Sequence, residues 1–127
     1  METRTHIAAE KKSCMNCAQA VMCTYHDFAG MDEESIKHLG NCFGSGCGNM
    51  EGTCGALVGA GVVYGMHIKD RAKGAKGMRL MMDKFQERNG ATQCRQLKGV
   101  GTGKVLRECA LCVSDAAEFL EELLAHE

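Results

Sequence analysis

At 127 residues, with 45% apolar and 24% charged residues and a formal net charge of -1, the chain can bury the core of one compact domain but hardly of two. That balance excludes a wholly disordered or membrane-embedded chain, and near-neutrality removes any global attraction to nucleic acid. No apolar run is long enough to cross a bilayer, and the opening METRTHIAAEKKSC lacks the apolar core of a secretory signal, so a cytoplasmic protein is expected.

No useful length alternates with period two, whereas several segments carry helical spacing. Ser13 is positioned to cap a first helix reaching about Phe28. At about 100° per residue, Cys14, Cys17, Ala18, Val21 and Tyr25 share a narrow arc of that helix, with Cys23 on the other side. MDEESIKHLGN reads as a short second helix whose first-turn acids suit the positive end of the helix dipole. Thr53 can cap a third, through about Met66. A basic helix follows from near Arg71 to Asn89, stopped by Gly90. Its apolar line is Ala75, Met78, Met81 or Met82, and Phe85, and Gly74 and Gly77 weaken it. ATQCRQLKGVGTGK is a turn-rich connection with room for one helical turn. The last helix spans about Cys109 to Ala125 and turns Cys109, Cys112, Val113, Ala116, Phe119 or Leu120, and Leu123 or Leu124 inward. The expectation is one all-α domain over residues 1–127, a bundle of about five helices with a Gly-rich loop before a small-residue core helix.

The stretch GSGCGNMEGTCGALVGAG, residues 44–61, admits three readings. A phosphate loop requires lysine and a hydroxyl after its second glycine, and a dinucleotide fingerprint requires a third glycine where Asn49 and Glu51 stand. Neither pattern is met. Gly55-x-x-x-Gly59 and Ala56-x-x-x-Ala60 would suit a membrane contact face, but TCGALVGAGVVYGM is bounded by Glu51 and His67 and is too short to span. It reads as a buried helix made for close packing. The third reading fits best: glycines 44–52 let the backbone turn tightly and deliver Cys54 to the first turn of a helix. There the dipole and unpaired amides lower a thiol's pKa.

Nine cysteines stand at 14, 17, 23, 42, 47, 54, 94, 109 and 112. An odd number without an export signal argues against a structural disulfide framework and for metal binding or redox chemistry. His6, His26, His38, His67 and His126 lack metal-ligand spacing and read as surface residues. Met78, Met81 and Met82 read as core or interface. Lys69, Arg71, Lys73, Lys76 and Arg79 form a basic strip, a solvated face able to dock an acidic redox partner protein. The acids from Asp115 to Glu122 offer a complementary strip, so a homodimer is equally open.

NCAQAV at 16–21, the glycine loop leading into TCGALVG at 53–59, TQCRQLKG at 92–99 and CALCVSDAAEFLEELL at 109–124 together resemble the C_GCAxxG_C_C family, named for its cysteine pattern. The resemblance runs from about Cys14 to the end of the chain. It implies redox activity, metal binding or both. It also implies a site on the family's recurring cysteines, which fall here on Cys17, Cys54, Cys94 and Cys109. A related module in a multihaem cytochrome carries an iron–sulfur cluster on cysteines, which turns the expectation toward iron. Cys14, Cys23, Cys42, Cys47 and Cys112 stand outside the core pattern, and Cys14, Cys47 and Cys112 are candidate additional ligands.

An all-sulfur donor set suits an iron–sulfur cluster, zinc or copper(I). A rival zinc site would draw on two CxxC pairs, Cys14–Cys17 and Cys109–Cys112, but both are expected inside helices and neither Cys54 nor Cys94 would be used. A metal-free dithiol needs only helical CxxC pairs, although the strand pattern of thioredoxin-like folds is missing. The cluster reading, with electron transfer as its function, accounts for more of the sequence. Cys23, on the opposite helix face, is expected outside the site.

Overall fold

The computed structural model describes residues 3–126. Among them eight helices occur: α1 (Arg4–Lys11), α2 (Cys17–Thr24), α3 (His26–Ala29), α4 (Glu33–Leu39), α5 (Gly55–Ile68), α6 (Arg71–Asn89), α7 (Cys94–Leu97) and α8 (Cys109–Ala125). The only β-pairing among the described residues is an isolated antiparallel bridge between Thr53 and Gln93. The all-α class stands, with eight helices in place of about five.

The difference in number lies mostly in the first thirty residues. Ser13 does not cap a helix; it follows α1, its hydroxyl donating to the Glu10 carbonyl at 2.9 Å. The cap of α2 is Asn16. Its side chain accepts from the Gln19 amide, and the Gln19 side chain accepts from the Asn16 amide, a reciprocal capping box. Cys14 is therefore left in the turn, exposed and outside any helix, which also corrects the expectation that both CxxC pairs are helical. The long helix expected to reach Phe28 breaks at Tyr25 (φ -112°, ψ 23°), and α3 ends at Gly30 in the left-handed region, φ 71°. Elsewhere local signals mostly prevail, although Thr53, drawn into the bridge with Gln93, leaves the cap position of α5 to Cys54. α4 is capped by Asp32 with Glu33 and Glu34 in its first turn, while α6 begins after the Asp70 cap and ends at left-handed Gly90.

The core is built where α2, α5 and α8 meet, with α1 against α8 and α6 against α5 and α8. Val21, Met22, Leu57, Val63, Phe85, Val113 and Leu120 are fully buried within it. α5 is central, and its small residues are the reason it can be. A Cβ on Gly59 would stand 2.6 Å from the Ala18 carbonyl oxygen, and one on Gly55 would stand 2.7 Å from that of Phe43. The expected close helix contact is thus an intrachain one, to α2. Gly77, expected to weaken α6, instead makes room for the Tyr64 ring.

The acids of α8 are engaged within the chain, not left as a free strip. Lys84 pairs with Glu122 at 2.9 Å and Arg88 with Glu118 at 2.8 Å. Asp115, only 3% exposed, takes Arg107 in a two-pronged pair at 3.0 Å, Arg88 at 3.0 Å and the Asn89 amide at 3.1 Å. A buried carboxylate held by two guanidinium groups and an amide has its lone pairs satisfied. It fastens the start of α8 to the end of α6. Among the described residues no helix is long and apolar enough to cross a membrane.

Candidate functional site

The four motif cysteines share one local address, the start of a helix. Cys17 is the first residue of α2, Cys94 the first of α7 and Cys109 the first of α8, while Cys54 is the N-cap of α5. The positive ends of three longer helices are thereby turned toward sulfur, where they favour thiolate over thiol.

Backbone stitching brings these starts together. Ser45, Gly46, Cys47, Gly48 and Met50 all have positive φ, so the loop coils back on itself. Gly46 is needed on two counts. Its φ is +57°, and a Cβ there would lie 2.6 Å from the Cys94 Cβ. The loop is then bonded to the segment carrying Cys94. The Cys54 amide donates to Thr92 at 2.8 Å, the Cys94 amide to Gly52 at 3.0 Å and the Arg95 amide to Met50 at 2.8 Å. On the other wall the Asn16 side chain donates to the Gly40 carbonyl at 3.0 Å, fixing the start of α2. Cys109 and Cys112, three apart on α8, present their sulfurs on one face.

The result is a cavity of about 10 Å³ lined by Cys17, Cys54, Cys94, Cys109 and Cys112, with Lys98 and Arg107 at its wall. The four motif cysteines are therefore brought to one place. Of the candidate extras, Cys112 lines the cavity, whereas Cys14 and Cys47 are exposed and do not. Cys42 is also exposed. Cys23 is buried away from the cavity, as expected from its helix face. The rival zinc set of two CxxC pairs is not assembled, because Cys14 stays in its turn with its thiol directed to the Lys11 carbonyl at 3.4 Å.

Inside the cavity the sulfurs influence one another in two pairs, Cys17 with Cys109 and Cys54 with Cys112, while the Cys112 thiol is directed to the Arg107 carbonyl at 3.7 Å. By the neighbouring Cys17 thiol first, and with further help from Lys98 and Lys12, against burial, the Cys109 thiol is lowered to about 5. Cys54 is lowered first by the neighbouring Cys112 thiol and then, against burial, by the amides of Ala56 and Leu57. The Cys54 sulfur makes no ideal capping hydrogen bond, so these amides act as nearby dipoles more than as full donors. Cys17 and Cys112 are pushed up by these paired sulfurs and by burial. Burial also raises Cys94. Burial pulls Lys98 down, but the sulfurs of Cys109, Cys94 and Cys17 outweigh it and raise its pKa, keeping it charged.

Lys98 and Arg107, at the cavity wall, are candidate site residues that the sequence reading passed over in favour of the 69–79 strip. A signal was present. Residues 88–107 contain Arg88, Arg95, Lys98, Lys104 and Arg107 and no acid, around the Cys94 motif and up to the Cys109 one.

A family model described as "Putative redox-active protein (C_GCAxxG_C_C)" matches residues 15–123. The chain belongs to the C_GCAxxG_C_C family. No curated protein and no solved structure matches it. The family's cysteine pattern thus coincides here with helix starts that face a common cavity.

The donor chemistry of this C_GCAxxG_C_C cavity fits a soft metal group: five sulfurs, two of them favoured as thiolates, with cationic Lys98 and converging helix starts to offset negative charge. Its size sets a condition. About 10 Å³ is room for one water-sized sphere, so a single ion enters as it stands and a cluster requires the sulfurs to spread. Among the described residues no three potential ligands are already disposed to clasp an ion.

One test reads the electrostatics directly. In reduced, metal-free protein carrying Ser at 14, 42 and 47, iodoacetamide should alkylate Cys109 at neutral pH, with a rate that falls as pH drops through about 5. Mass spectrometry locates the label. A rate that instead rises toward an ordinary thiol pKa would show that the Cys17 and Lys98 contacts do not hold the thiolate.

Proposed function

We propose that this protein is an electron carrier whose cavity holds an iron–sulfur cluster on Cys17, Cys54, Cys94 and Cys109. The observation carrying this reading is the convergence of four helix-starting cysteines from four separate segments on one cavity. When bound, the cluster supplies single-electron uptake and release. The chain contributes the rest. Cys54 and Cys109 are presented as thiolates, ready to ligate without a large deprotonation cost. Lys98 and the helix starts balance the added negative charge. The Asp115 clasp holds Arg107 at the wall, and the surrounding α2, α5 and α8 core buries Cys17, Cys54 and Cys112 while Cys109 stays partly exposed.

A second reading has a specific observation in its favour. In the neighbouring pairs Cys17–Cys109 and Cys54–Cys112 one thiol is pushed up and its partner lowered, the thiol-beside-thiolate arrangement from which a disulfide forms. In that case each pair gives two electrons and its remaining proton to a disulfide oxidant, whose released thiolate takes the proton, and an S–S bond forms within the pair.

The two readings part at Cys94 and Cys112. Protein prepared without oxygen, or reconstituted with iron and sulfide, should show visible charge-transfer absorption with iron and acid-labile sulfide. Cys94→Ser should bleach it and Cys112→Ser should largely retain it. The dithiol reading expects the reverse dependence, with thiol–disulfide cycling surviving Cys94→Ser and impaired by Cys112→Ser. Colourless, metal-free wild-type protein that cycles between thiol and disulfide would overturn the cluster. Bound zinc or copper(I) without sulfide would make the protein a metal-binding module instead.

A further inference from the structure

Four of the eight large apolar side chains exposed among the described residues, Val100, Val105, Leu106 and Leu111, fall within twelve positions of sequence; Val105 is 57% exposed. They belong to the segment that walls the cavity. Its inner side supplies Leu97 and Lys98 to the sulfurs. Its outer side is folded back upon itself, with the Leu106 amide donating to Leu97 at 2.9 Å and the Val100 amide to Arg95 at 3.1 Å. Gly99, at φ +74°, allows the Lys104 backbone to close over it, since a Cβ there would stand 2.5 Å from that backbone. Beside the fold-back lies an open groove of about 270 Å³ bounded by Ala91, Gln96, Lys104 and Leu106.

The rim is mainly basic, with exposed Glu108 at the start of α8 the one acid among residues 88–111. Arg95 and Lys104 are exposed and Lys98 is half-buried, and no acid occurs between Glu87 and Glu108. By contrast, the Lys69–Arg79 strip begins at the far end of α5. That helix has 14 residues, which puts the start of the strip about 21 Å from the Cys54 end. Exposed apolar side chains interspersed with basic ones, on a segment whose inner side lines the sulfur cavity, match the anatomy of a transient protein interface. Its charge selects an acidic partner and speeds encounter with it.

We infer that the outer face of residues 95–106, with the first turn of α8, is the docking surface for an acidic protein electron carrier. This rests on the electron-carrier reading, but its test does not require the cofactor. Flavodoxin serves as the acidic probe and cytochrome c as the basic control, each titrated into isotope-labelled protein at low salt and followed by amide chemical shifts. Flavodoxin should move the amides of 95–111 and leave those of 69–79 in place. Lys104→Glu and Arg95→Glu should each weaken it about tenfold, an effect that fades as salt screens the rim. Leu106→Ser should weaken it at every salt concentration, and cytochrome c should bind no better than to any neutral surface. Shifts centred on 69–79, equal affinity for both probes, or no response to the two charge reversals would overturn the inference. Iron and sulfide analysis of the same preparation judges the cofactor separately.

Discussion

Cys54→Ser is expected to lower retained iron by about tenfold or more and to remove the visible absorption, while Cys42→Ser leaves both unchanged. The contrast follows from placement. Cys54 is buried at the start of α5, beside the amides of Ala56 and Leu57 and the Cys112 thiol. The amides and the Cys112 thiol favour a negative sulfur against the cost of burial, and a serine hydroxyl does not ionise under the same influences. Cys42 is exposed and lines no part of the cavity. The variant should remain folded, because serine is nearly isosteric and keeps the amide that donates to Thr92 at 2.8 Å. Far-ultraviolet circular dichroism and metal analysis on one sample separate loss of cofactor from loss of fold. The same substitution should abolish cycling of the Cys54–Cys112 pair, so Cys54 is required under both chemistries. Wild-type iron content and spectrum in Cys54→Ser would remove it from the site.

Gly59→Leu is expected to destabilise the fold by about 3 kcal/mol or more, lowering Tm by about 10 °C or more. A Cβ alone at that position would meet the Ala18 carbonyl oxygen at 2.6 Å and the Ala18 Cα at 3.0 Å. These are backbone atoms, which cannot rotate away as a side chain can. A leucine must therefore push α5 from α2, the two helices that carry Cys54 and Cys17. Loss of metal retention should accompany the loss of stability. Gly65→Ala is the control, since a Cβ there meets nothing within 4 Å, and the higher helix propensity of alanine should raise stability by about 0.5–1 kcal/mol. An unchanged melting temperature in Gly59→Leu would mean that the close approach of α5 to α2 does not support the fold.

The amino-acid sequence by itself determined those features whose causes are local. The bounds of α6 and α8 were legible to the residue, α6 because Gly90 supplies a left-handed stop. The first-turn acids marked α4. Cys54 was legible at the mouth of a close-packing helix because glycines before it and after it carry distinct backbone and packing demands. The start of α2 was not legible, because Ser13 and Asn16 are both competent caps. The choice falls to Asn16 through its bond to the Gly40 carbonyl, a contact twenty-four residues away in sequence. That choice leaves Cys14 in solvent, while Cys112, at the same CxxC spacing from its neighbour, faces the cavity. The charged residues divide in the same way. Composition showed an acidic strip on α8 and a basic strip on α6, but only packing turned Asp115 inward to clasp Arg88 and Arg107. Only packing, too, set Lys98 beside the sulfurs. Caps, stops and helix faces are short-range properties of a few neighbouring residues. Which cysteines share a cavity depends on how whole helices approach one another, and that is settled by contacts between residues far apart in the chain.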